Sequence, residues 1–473
     1  MKMNLNNILK NISYSVLANA FSLIVSVVML TFVPKIIGVK DYGIWQLYIF
    51  YSTYLGVFHF GWLDGIYLRY GNYDFIELDK KKFSGQFYSL FIFEFFVSIF
   101  IYLLIKLCVE DVIKQVTGQY VCLLILPVIL YTFCSFILQI TNRIKDYAKV
   151  IFFERVLFLV LLVIYLFFGN ITYLGLFYID ILCKILLFFF SFYLIKDLII
   201  LKIDNFANII IEIYKNITVG IKLLVANLAS LCIVGIIRFG IAEHWNVEVF
   251  GKVSFSLGIT NFLMVFINAI GVAIFPLLAR SNFNEKKEVF LLGRCGLNIL
   301  FFSLLILYYP LINILDYWLP QYEDSFKYMA ILFPICFFES KVGLLISALL
   351  KSLRQEALML KINFIVLLLS MLLSFISIIC MDNLLFTVIV ILLVLGLRCI
   401  ISEIKLGKLL DFSIDYNLLI ELFIISLFIL CAYNKYNLLI SLISYTALYV
   451  FYIYINFTNI KTLIKKLRKG DAL

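Results

Sequence analysis

The chain has 473 residues, 64% hydrophobic and only 14% charged, with a formal net charge of +10 and a mean hydropathy of +1.07. A water-soluble domain covers its surface with roughly a quarter charged residues, so this composition excludes one and leaves lipid as the main outer contact. The basic excess does not call for nucleic acid: lysines and arginines sit between apolar runs, where cytoplasmic loops meet anionic lipid.

Apolar runs long enough to cross a bilayer, about 20 residues each, recur from end to end. The expected spans are 12–34, 42–66, 84–106, 119–141, 148–168, 171–195 and 217–239, then 248–278, 292–313, 326–350, 360–380, 384–403, 415–433 and 437–457. The fold class is therefore an all-α integral membrane protein of about fourteen transmembrane helices, because lipid-facing backbone must satisfy its own hydrogen bonds. The first run lacks a small-residue cleavage site after it and reads as a membrane helix rather than a signal peptide. With the N-terminus inside, the cytoplasmic segments hold roughly 27 of the 39 Lys and Arg and the outer ones 7. That is the positive-inside asymmetry, and it places both termini in the cytoplasm.

A shift of 208 residues aligns Ala18, Asn19, Ser22 and Leu23 with Ala226, Asn227, Ser230 and Leu231, and Tyr42-Gly43 with Phe250-Gly251. A similar shift pairs Pro127 with Pro334. Six spans per unit is an even number, so the repeats enter the membrane with the same orientation. The expected organisation is a six-helix lobe over 1–200, a second over 201–410, and two further helices with a basic tail over 411–473. Two such lobes leave a central cavity, where many transporters hold their substrate.

Five basic residues remain once those 27 cytoplasmic and 7 outer ones are counted: Arg155, Lys184, Lys222, Arg238 and Lys341. Acidic residues at depth include Glu94, Glu154, Asp180 and Glu339. A charge near the bilayer centre costs at least a few kcal/mol, so it faces protein or water. The functional reading is a cationic lumen, since Lys and Arg can replace the water that phosphates lose. The bland readings are an i,i+4 ion pair for Asp180 and Lys184, and snorkelling for Arg155, Lys222 and Arg238. Glu339 and Lys341 point about 200° apart on a helix and are not expected to pair. Glu94, Asp180 and Glu339 are the candidate carriers of a coupling ion, proton or sodium. Asn19 and Asn227, at matching repeat positions, could bind sugar hydroxyls or tie helices together.

The ten cysteines lie singly and His59 and His244 are the only histidines, so no metal, disulfide framework or cofactor is expected. No GxxxxGK[ST] loop occurs, which argues against direct ATP hydrolysis. The short outer segments carry no carboxylate pair or histidine constellation, which argues against an enzyme such as a polymerase or glycosyltransferase.

The turn Ile37-Gly38-Val39-Lys40-Asp41-Tyr42-Gly43 and the stretch Gly61…Asp64-Gly65…Arg69 have echoes in Val249-Phe250-Gly251 and Phe275-Pro276-Leu277-Leu278-Ala279-Arg280. Together with the Asn-rich opening segment, they make the chain resemble the polysaccharide flippases of the multidrug/oligosaccharidyl-lipid/polysaccharide exporter (MOP) superfamily, with the Wzx-type O-antigen flippases the nearest in motif. The resemblance covers nearly the whole chain. It implies a MATE-like fold in the bacterial inner membrane and export of an undecaprenyl-diphosphate-linked oligosaccharide by alternating access. The other partners it implies are membrane lipid and a polysaccharide polymerase. It also implies that Arg69 ends a cavity-lining helix and that Lys222 lies on one. At Ile236-Ile237-Arg238 the chain departs from the family, where many relatives carry an acid. A MATE-like small-molecule exporter and a lipid II flippase are the alternatives within the superfamily.

Overall fold

The structure, a computed structural model, describes residues 25–71, 73–169, 171–199, 204–280, 283–411, 417–433, 438–457 and 461. Asn19 and its neighbours Ala18, Ser22 and Leu23 lie outside the described residues. Within the described residues there is no strand. From the third expected span onward, each apolar run coincides with a helix or a bent helix pair. Among the described residues, eight helices are long and apolar enough to cross a membrane, or nine with the bent pair counted as one span. Two shorter apolar helices follow near the C-terminus. The protein is a multi-pass membrane protein.

By contact density the chain forms two compact units, Met1–Leu228 and Ala229–Leu473. The first contains α1 (Val33–Ser52), α2 (Trp62–Tyr70), α3 (Lys80–Cys108), α4 (Val112–Ile140), α5 (Ile144–Phe167), α6 (Tyr173–Ile199) and the start of α7 (Phe206–His244). Asp79 caps α3 by accepting from the Lys81 and Lys82 amides, and Asp111 caps α4 through Ile113 and Lys114. Such caps satisfy amides that have no partner within the helix. α4 is the hub, packed against α1, α2, α3, α5 and α6. Its central window is 67% buried, against 11% for α3 and α5.

The expected second span is broken. α1 gives way to a 3₁₀ turn, Leu55–His59, then Phe60 and Gly61 in the left-handed region (φ 49° and 80°) before α2 begins. The seventh run is longer than its apolar stretch. No proline interrupts 206–216 and its first glycine is Gly220, so α7 continues 11 polar-rich residues beyond the expected edge at 217.

The second unit holds the rest of α7, then α8 (Val247–Arg280), α9 (Phe283–Ile306), α10 (Tyr308–Trp318), α11 (Glu323–Leu332), α12 (Ile335–Ser340), α13 (Ser347–Ser352), α14 (Glu356–Phe375), α15 (Leu384–Leu409), α16 (Asn417–Tyr433) and α17 (Leu438–Ile455). Its hub is the bent stretch Pro320–Leu332 plus Ile335–Ser352, angled by 43° at Pro334. It packs against α8, α9, α15 and α16.

The two hubs share more than a proline. Each ends in a left-handed residue, Asn142 and Arg354, both at φ 56°. Each closes with the same wide bond, Arg143 N–H to the Leu138 carbonyl at 2.9 Å and Gln355 N–H to the Leu350 carbonyl at 2.8 Å. This is the Schellman arrangement that satisfies terminal carbonyls. The second hub differs in winding Lys341–Ile346 as a π-helix, an irregularity often found at functional sites.

Candidate functional site

In the first unit, the start of α7 packs on residues 61–71. Gly61 and Gly65 are four apart and lie on one face. A Cβ on Gly65 would overlap the Asn216 carbonyl, and one on Gly220 would overlap the Gly61 carbonyl. Small residues let membrane helices approach this closely. The contact carries a polar chain. Arg69 pairs with Glu212 at 2.6 Å and donates to Asn216, whose amide reaches Gln86 at 2.7 Å. Gln86 also accepts from the Trp62 indole at 3.1 Å, and Tyr70 donates to Glu212. Arg69 is thus held at this junction with its charge met by Glu212. His59 accepts the Gly61 amide at Nδ1, 3.1 Å, and lies 4.0 Å from Asp64.

A second cluster joins α5, α6 and α1. Lys184 pairs with Glu154, not with Asp180 as the i,i+4 spacing led one to expect, and its ammonium lies 5.6 Å from the Tyr131 ring centre. Asp180 instead accepts the Tyr48 hydroxyl at 3.0 Å. The partner comes from the neighbouring helix, since α5 and α6 run packed together. Arg155 is exposed and makes no hydrogen bond or ion pair among the described residues, although its charge lies near those of Glu154 and Asp180. It lies about 10 Å along α5 from position 148, where the expected span begins, at 1.5 Å per residue.

Lys222 and Asn227, both exposed on α7, also have no hydrogen-bond or ionic partner among the described residues. Glu94 is the opposite case: fully buried on α3, with both carboxylate oxygens lacking a partner among the described residues.

The second unit treats its charges differently. Arg238 donates to Ser254 at 3.1 Å and lies 5.3 Å from the Phe250 ring centre. Glu339 and Lys341 take separate partners. Glu339 pairs with Arg398 at 3.1 Å, and Arg398 also donates to Asn363 and Ser230, each at 3.1 Å. Lys341 reaches both Glu403 and Glu421 at 2.6 Å. Arg294 joins the same two carboxylates at 3.1 and 2.8 Å, and Asn298 bridges Glu421 to the Tyr452 hydroxyl.

Sequence reasoning missed most of this quartet. By sequence Arg294 counts among the cytoplasmic Lys and Arg, as does Arg398 of the Glu339 pair; both lie within helices, α9 and α15. Glu421, a lone acid in a run as apolar as 417–433, was the available signal.

The fold belongs to a class already seen in solved membrane transporters. The structure titled "Lipid II flippase MurJ, inward closed conformation" matches with a TM-score of 0.69 at 11% identity, over 96% of this chain and 99% of that one. A multidrug resistance MATE family transporter of the MOP superfamily matches in its inward-facing form with a TM-score of 0.62 at 12% identity, and in its outward-facing form with 0.58 at 13%. Each covers 85% of this chain and 96% of the other. The chain therefore has a MurJ- and MATE-like fold, and these neighbours are transporters rather than enzymes. No protein-family model matches the sequence, and no curated protein matches it either.

Proposed function

We propose that the protein is a secondary transporter in a bacterial cytoplasmic membrane. In this reading it flips an undecaprenyl-diphosphate-linked oligosaccharide from the inner to the outer leaflet by alternating access. The observation that carries the reading is the pair Arg155 and Lys222, exposed basic side chains on membrane helices that make no hydrogen bond or ion pair among the described residues. Exposed cations on such helices suit a cargo whose diphosphate must leave water. Aromatic side chains and the amide of Asn227 suit sugar rings and hydroxyls.

The match to a structure named as a lipid II flippase over 96% of the chain supports a lipid-linked cargo. It also favours lipid II itself as the second reading. Arg69, Lys184 and Arg238 act as positioning charges, each already held by a neighbour. A coupling cation, proton or sodium, is assigned to Glu94, a buried carboxyl without a described partner.

The test is deletion in a host with no second flippase for the same cargo. The expected result is loss of surface polysaccharide with the lipid-linked unit accumulating on the inner leaflet. Unchanged polysaccharide would contradict the reading.

A further inference from the structure

An apolar groove of about 250 Å³ runs between the start of α1 and the facing ends of α5 and α6. Every lining side chain is apolar. Its floor is Val33, Leu162 and Leu176, at 3%, 4% and 0% exposure, and its rims include Phe32 and Ile36, at 47% and 46%. It is thus an apolar trough with a buried floor and exposed rims.

Its inner end meets charge. Arg155, Leu159, Leu162 and Leu166 share one face of α5, at 100° per residue. The Leu159 end of the trough is one turn, about 6 Å, from Arg155. On α6, Leu176 in the floor is followed at four-residue steps by Asp180 and Lys184. The trough therefore runs toward the cluster of Arg155, Glu154, Asp180 and Lys184, where Arg155 is exposed.

Building on the flippase reading, we propose that this trough holds the phosphate-proximal isoprene units of the cargo's polyprenyl chain, with the cargo's phosphate at Arg155. A single trough takes one chain, so a diacyl phospholipid would have to leave its second chain outside. A single-chain lipid with a phosphate head matches both ends: apolar contact along the floor and a guanidinium for the phosphate. The pose keeps the tail in hydrocarbon while the head sits in water at depth, as a lipid in transit must.

The experiment is native mass spectrometry of the full-length protein in detergent, titrated with undecaprenyl phosphate or dioleoyl phosphatidylglycerol. Wild type should bind the prenyl lipid at least about tenfold more tightly, a difference of about 1.4 kcal/mol. Ile36→Trp and Val163→Trp, both at exposed rim positions, should weaken the prenyl lipid about tenfold and leave phosphatidylglycerol unchanged. Arg155→Gln should weaken it similarly. Equal binding of the two lipids, or prenyl binding unaffected by the tryptophans, would overturn the trough and leave the flippase reading standing. No binding of undecaprenyl phosphate by wild type would overturn both.

Discussion

In the second unit Lys341 and Arg294 close on Glu403 and Glu421, with side-chain exposures of 1% to 5% across the four. In the first unit Arg155 and Lys222 are exposed and meet no described partner, while Lys184 and Arg69 each meet one carboxylate. The contrast separates two uses of intramembrane charge. Two cations and two carboxylates that cancel within a packed bundle join α9, the second hub, α15 and α16. In the proposed reading, a charge left exposed serves the cargo.

This contrast predicts a graded series. Breaking the quartet should have the largest effect on stability. Glu421→Ala leaves two buried cations facing one carboxylate and should cost about 3–5 kcal/mol, read as denaturant unfolding of the purified protein in detergent. The double change Glu421→Met with Lys341→Met should recover part of that loss, since a neutral pair removes the uncompensated charge. A single loss as large as the double would break the pairing account.

Gly220→Ala comes next. Its new methyl meets the Gly61 carbonyl, a backbone atom that cannot swing away, so a loss of about 1–3 kcal/mol is expected. The same substitution at Gly343, where a Cβ meets nothing within 4 Å, is the control. Glu154→Gln should cost less, about 1–2 kcal/mol, because Lys184 keeps some access to water and to Asp180. Arg155→Gln and Lys222→Gln should leave unfolding within about 0.5 kcal/mol of wild type. A large loss from either would mean that its charge is structural after all.

Much of this architecture was legible in the residues. Apolar runs coincide with helices because a membrane helix is specified locally, by length and composition. Pro127 and Pro334 announced the two hubs, and the shared left-handed caps at Asn142 and Arg354 extend that likeness. What escaped were features set by other helices. The break at 53–61, with Phe60 and Gly61 left-handed, coincides with the close approach of Gly61 and Gly65 to α7, a contact that the second span's own sequence does not reveal. The partners of Lys341 lie 62 and 80 residues along the chain, beyond any helical periodicity. Lys184 took Glu154 from the neighbouring helix, although Asp180 stood at the textual spacing for a pair. Arg155 was visible as a charge within a span, but its lack of a described partner could be read only once its neighbours had been placed.

The central claim is that Arg155 and Lys222 are kept exposed for an anionic cargo. It is tested most directly by reconstituting wild type, Arg155→Gln and Lys222→Gln in proteoliposomes and measuring translocation of a polyprenyl-diphosphate-linked oligosaccharide. Each variant should translocate about tenfold more slowly, equivalent to about 1.4 kcal/mol in the barrier, with unfolding unchanged. Wild-type rates in both variants would contradict the account.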